Sequence, residues 1–267
     1  MKLKVLEDNN TFIDMYYLGE PAVSYYIEDG NDKILFDVGY SDSFMINANK
    51  MNIDLNKVNK LVISHGHDDH TGGLKYFFKE KRNIELITHP ESFNYKEYDG
   101  LCIGSPLTKE ELSSYCTLNL TKKPIKVSDN IIYLGEVPIL NNFEKRYTIG
   151  KTVINGVEVV DKVLEDSAIV YKGEKGLFII TGCSHSGICN IIEYAKRVCK
   201  DGRIYGVIGG FHLLNNDDRL QSTIRYFKDN NIQLLYPCHC VSLEAKIEIA
   251  KQIKINEVAV GLVVDIK

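Results

Sequence analysis

A chain of 267 residues, with 44% hydrophobic and 25% charged side chains, can bury a substantial core in one large domain or two fused halves. Its formal net charge of −4 argues against nucleic acid or an anionic membrane as the main partner. No apolar run approaches the roughly 20 residues of a membrane span. The start, Met1-Lys2-Leu3-Lys4-Val5-Leu6-Glu7-Asp8, turns acidic before a signal core forms, so the expectation is a cytoplasmic protein without a membrane partner.

Two β-prone runs at 23–27 and 33–37 flank a Gly/Asn/Asp cluster and predict a hairpin. Helical character follows at 42–50 and 55–59, then the apolar strand Leu61-Val62-Ile63, a helix over 72–81 and a strand over 84–88. Residues 90–165 lack clean periodicity and read as short strands and loops, a substrate-recognition insert or an irregular packed region within a single 1–267 domain. One helix stands out there: Thr108 and Glu111 form a capping box ahead of 109–115. The last third alternates strands at 177–181, 204–208 and 232–236 with helices at 188–198, 220–229 and 242–253.

The chemistry is concentrated behind four of these strands. His65-Gly66-His67-Asp68-Asp69-His70 follows Leu61-Val62-Ile63, and His185, His212 and His239 each follow a later strand. Strand ends fix short loops, so sites assemble at that edge in α/β architectures. Imidazole and carboxylate are ligands for borderline and hard divalent metals. So many donors in one turn point to a centre shared by two ions, Zn first, with Mn or Fe as alternatives. His65 and His67 can meet one ion, and Asp69 and His70 face a second position. Asp68 is open between direct ligation and a supporting role.

His185 lies in the small-residue turn Gly182-Cys183-Ser184-His185-Ser186-Gly187, which permits close approach of a metal. The rival reading is a nucleophilic Ser or Cys. Gly-x-Ser-x-Gly is not satisfied, however, and Cys183 stays open as nucleophile or thiolate ligand. In Cys238-His239-Cys240, alternation along an extended segment turns His239 away from both cysteines and favours His239 as the ligand. His212 is open among ligand, substrate contact, acid/base group and structural residue. His89 lacks a companion motif. The seven cysteines are scattered, odd in number and without a Cys-x-x-Cys pair, so neither a disulfide framework nor a zinc ribbon is expected.

His65-x-His67-x-Asp69-His70, preceded by Leu35-Phe36-Asp37-Val38-Gly39 and continued by Thr71-Gly72-Gly73-Leu74, resembles the signature of the metallo-β-lactamase superfamily. The resemblance implies a four-layer αββα sandwich: two mixed sheets face to face, helices outside, metals at one edge. The motifs around Cys183-Ser184-His185, Gly209-Gly210-Phe211-His212 and Cys238-His239-Cys240 are similar to the branch named for 7,8-dihydropterin-6-methyl-4-(β-D-ribofuranosyl)aminobenzene-5'-phosphate synthase. That branch's namesake joins a dihydropterin methyl group to a ribofuranosylaminobenzene phosphate.

Two departures stand out. Cys183 occupies the place of the superfamily's bridging Asp, and no His lies between 90 and 180 to match the usual separate ligand. Val241-Ser242 also stands where the branch commonly has Gly.

The expectation is a metal-dependent, hydrolase-like enzyme acting on a small phosphorylated or pterin-like molecule. His65, His67, Asp69, His70, His185 and His239 are its metal ligands, and Asp69 and His212 its catalytic groups. The alternatives are a phosphodiesterase or other ester hydrolase on the same fold and, from another class, a metal or redox sensor. Nothing in the pattern specifies an oligomeric state.

Overall fold

The computed structural model describes residues 1–266. Two sheets lie face to face. The first runs in the order Val263–Asp265, Lys2–Glu7, Ser24–Asp29, Asp32–Phe36, Lys60–Val62, Glu85–Thr88, Thr117–Leu120. Its first four strands pair antiparallel and the rest join in parallel. The second runs Leu234–Pro237, Ile204–Gly209, Gly176–Thr181, Ala168–Gly173, Ile131–Tyr133, Ile125–Lys126, with its first three strands parallel.

Strand alternation builds the layers. Tyr25, Ile27, Ile34, Phe36, Val62 and Ile87 point inward from the first sheet onto Tyr133, Ile169, Phe178, Ile180 and Ile208 of the second. Their sequence neighbours Tyr26, Leu35, Leu61 and Leu86 point outward onto Phe44 of the helix Ser43–Lys50, Leu74 and Phe77 of Leu74–Phe77, and Leu112 of Lys109–Tyr115. On the far side Leu177, Ile179, Val207 and Leu235 meet the helices Ile188–Cys199, Asp218–Asp229 and Leu243–Ala250. Each run is therefore apolar on both faces, as strands buried between two layers must be. The result is the αββα sandwich.

Some elements differ from the sequence reading. The helix expected over 72–81 is instead two single turns, Asp68–Thr71 and Leu74–Phe77. The second stops because Phe78 leaves helical geometry and Arg82 Nε donates to the Phe77 carbonyl at 2.9 Å, capping it. The charged run 79–82 is thus a bend followed by irregular chain. The segment 55–59 is a short 3-10 turn, Leu55–Lys57, with Asp54 accepting from the Asn56 amide. The strands Lys2–Glu7 and Val263–Asp265 were not anticipated; they pair with each other and extend the first sheet. Between 90 and 165 a separate small sheet forms, in the order Val157–Val160, Lys151–Ile154, Lys96–Tyr98, Leu101–Cys102. The Thr108–Glu111 capping box is present as the sequence indicates.

Candidate metal centre

All the histidines singled out from sequence except His89 gather at one edge between the two sheets. The loop after Lys60–Val62 brings His65 and His67, and the single turn Asp68–Thr71 brings Asp69 and His70. From the second sheet, His185 follows Gly176–Thr181, His212 follows Ile204–Gly209 and His239 follows Leu234–Pro237. Backbone strain marks this edge. Asp37, Ser184, His212 and His239 all adopt positive φ, between 48° and 60°, which non-glycine residues rarely take. Gly182 sits where any Cβ would collide with the Ser64 hydroxyl, so the two sheet edges approach closely.

Two donor groups result: Asp69, His70, Cys183 and His239 in one, and His65, His67 and His185 in the other, each with ligand atoms within 4.8 Å of one another. In the first, Cys183 Sγ lies 3.2 Å from His70 Nε2 and 3.1 Å from His239 Nε2. Asp69 Oδ2 lies 3.4 Å from His70 Nε2 and 3.2 Å from His239 Nε2. In the second, the His65 and His185 rings are 4.8 Å apart, and those of His67 and His185 5.0 Å. His67 Nε2 and His185 Nε2 are buried without a hydrogen-bond partner. Buried ring nitrogens rarely stay unpaired unless something else uses their lone pairs. Together with a donor set of imidazole, carboxylate and thiol, those two atoms fit a divalent ion.

In the second group the electrostatics agree with ligation. Burial holds His65 and His185 well below the usual imidazole range, and His67 at about 4 with Asp69 pulling the other way. These rings are neutral, the form that ligates metal. Burial opposes charge on His70, but Asp69 and Asp37 outweigh it and hold its pKa well above the usual value. Asp69 is held well below the carboxylate range despite its burial, chiefly by His70 and then His239. Burial lifts the Cys183 thiol, so in the metal-free chain it carries its proton.

Supporting residues aim the donors, and sequence reading had assigned them no role. Asp37 Oδ2 lies 2.7 Å from His70 Nδ1 and accepts from Ser64 Oγ at 2.7 Å, and that hydroxyl is 3.0 Å from His65 Nδ1. His239 Nδ1 faces Asn9 Oδ1 at 3.3 Å, and the His239 amide donates to Asp8 at 3.2 Å. The signal for Asp37 was its place in Leu35-Phe36-Asp37-Val38-Gly39, directly behind a β-prone run.

Alternation fails at Cys240. Cys238 turns inward to Tyr25 Oη at 3.2 Å, but the left-handed His239 lets both His239 and Cys240 line the cavity over the centre. His212 lies against His185, with ring centroids 4.6 Å apart and the planes tilted by 51°, and belongs to neither donor group. His89 lies apart, 3.3 Å from Glu136 Oε2.

Residues 18–198 match the metallo-β-lactamase superfamily, and the chain belongs to that family. Two relatives come from Methanocaldococcus jannaschii. One, an uncharacterised protein, is 32% identical over 246 residues, 91% of each chain. The other is named 7,8-dihydropterin-6-methyl-4-(β-D-ribofuranosyl)-aminobenzene-5'-phosphate synthase and is 30% identical over 262 residues, 92% of this chain and 89% of that one. A crystal structure described as Tm1679, a metal-dependent hydrolase of the β-lactamase superfamily, superposes with a TM-score of 0.86 at 29% identity, covering 99% of this chain and 98% of that one. No helix among the described residues is long and apolar enough to cross a membrane.

Proposed function

We propose that the chain is an enzyme with a dinuclear divalent-metal centre acting on a small phosphorylated or pterin-like molecule. The observation that carries this reading is the pair of adjacent donor groups, one of which holds two buried, unpartnered imidazole nitrogens. Asp69, His70, Cys183 and His239 would hold one ion, and His65, His67 and His185 the other. Zn suits the mixed nitrogen and thiolate set, and Mn or Fe the nitrogen and oxygen donors. When bound, such ions acidify water and stabilise negative charge on a phosphoryl or carbonyl oxygen.

The chain's own groups do the rest. Asp69 is ionised, partly exposed to the cavity, and placed to accept a hydrogen bond from an incoming hydroxyl or water. His212 lines the same cavity. Burial, and then the Arg219 charge, lower its pKa, which favours a neutral ring that pins substrate over one that stores a proton. The cavity, about 410 Å³, is of small-molecule size.

The synthase-named relative favours a dihydropterin-coupling transferase of that type. The structure described as a metal-dependent hydrolase favours a phosphodiesterase or other ester hydrolase as the second reading. Metal-loaded protein assayed against phosphodiesters, phosphomonoesters, lactones and the dihydropterin coupling reaction separates them. Turnover that His67→Ala and Asp69→Ala abolish is the expected result. Activity and metal content that survive both substitutions would sink the site.

A further inference from the structure

The cavity over the donor groups adjoins a second hollow of about 470 Å³, and the two share Tyr98, Ile149 and His212 in their walls. The second hollow has two unlike parts. Its mouth is aromatic and apolar: Tyr98, Tyr147 and Leu214 are all about half exposed, although each is a side chain that normally seeks cover. In its wall lies Arg219, only 8% exposed, on the first turn of the helix Asp218–Asp229.

Arg219 is a buried cation without a counter-ion. Among the described residues it has no carboxylate within 4.0 Å, whereas the buried Lys96 is paired with both Asp161 and Glu165. Its Nη1 donates to the His212 carbonyl at 3.1 Å and its guanidinium lies 5.1 Å from the centre of the Tyr147 ring. Its Nε is buried with no partner at all. Asp217, an acid in the same wall, caps the helix by accepting from the Leu220 amide at 2.9 Å. An unpaired buried charge is costly, and guanidinium is shaped to grip phosphate or carboxylate on two nitrogens.

We propose that this hollow is the specificity subsite of the centre, taking the planar body of the substrate against Tyr98 and Tyr147 and its anionic group on Arg219. The inference rests on the reading of the donor groups as the reaction centre, because it places the reacting bond over them. It sharpens that reading by joining its alternatives: one substrate carries both an aromatic or heteroaromatic ring, placed against Tyr98 and Tyr147, and a separate anion within reach of Arg219.

The test is calorimetric binding of phenylphosphonate, benzoate and benzyl alcohol to the full chain, with and without a chelator. Phenylphosphonate or benzoate should bind in both conditions, the tighter of the two naming the anion. Arg219→Met should weaken that binding at least tenfold and leave benzyl alcohol unchanged. Tyr147→Ala, at an exposed position that does not endanger folding, should weaken all three ligands several-fold, and Arg219→Lys should restore part of the anion affinity. Anion binding unaffected by Arg219→Met and Tyr147→Ala would overturn the subsite, as would a loss seen only without chelator. Failure of the reaction-centre reading shows up separately, as missing metal or turnover.

Discussion

Asp37 Oδ2 lies 2.7 Å from His70 Nδ1, so the carboxylate fixes the ring and leaves Nε2 facing Cys183 and Asp69. The same carboxylate accepts from the Ser64 amide and hydroxyl, and so anchors the start of the His65 loop as well. Asp37→Asn keeps the shape but puts an amide where an acceptor is needed. Metal affinity should fall about 10–100-fold, as when other partners that orient a ligand are lost. Asp37→Ala also strands the buried Ser64 groups and should cost about 1–3 kcal/mol of stability. Metal titration with thermal melting checks both. Unchanged affinity in the Asn variant would mean that Asp37 does not orient the site.

Much of this site was legible in the sequence because its donors sit directly behind apolar strands. The runs before His65, His185 and His212 are buried on both faces and the run before His239 is buried on one and half-buried on the other, so each delivers its histidine to the shared edge. What escaped was what local pattern does not encode. The strand Lys2–Glu7 is held between Ser24–Asp29 and Val263–Asp265, and those partners, distant in sequence, give its short alternation a place. The expected helix at 72–81 was cut short by Arg82 folding back on Phe77, a contact invisible to periodicity. Cys240 reached the cavity because His239 takes a left-handed backbone, which breaks the alternation assumed for an extended segment.

Gly66 separates the first two histidines, and its spacing is steric. A Cβ there would run into the Ser92 carbonyl oxygen and come within 2.8 Å of Lys96 Cε, while the Gly66 amide points at Glu165. Lys96 is locked between Asp161 and Glu165 at 2.7 and 2.6 Å and cannot yield. Gly66→Ala should therefore displace the loop, costing about 1–3 kcal/mol as overpacking does and weakening metal binding with it. Denaturant melts and metal titration read the two effects. A variant as stable and as metal-competent as the parent would show that the loop has slack.

Glu7 offers a pH test away from the donors. Burial lifts its carboxyl to about 8, against hydrogen bonds from Ser43 and the Glu20 amide and with help from the Glu20 charge. A carboxyl with a raised folded pKa binds its proton more tightly when folded. Its stabilising contribution is complete below about 4.5 and is lost as pH rises through 8. The slope approaches one proton, about 1.4 kcal/mol per pH unit at most. Glu7→Gln cannot ionise, so its stability should fall less than the parent's between pH 5 and pH 8. Parallel stability curves for the two proteins would contradict the assignment.

The central claim is two ions held by two separable donor groups, and metal stoichiometry by elemental analysis tests it most directly. The intact chain should bind about two divalent ions. Cys183→Ala, which removes a donor shared with Asp69, His70 and His239, should bind about one, and so should His67→Ala in the other group, while Cys183→Asp should keep two. A parent chain that holds a single ion, or variants that all hold two, would contradict the account.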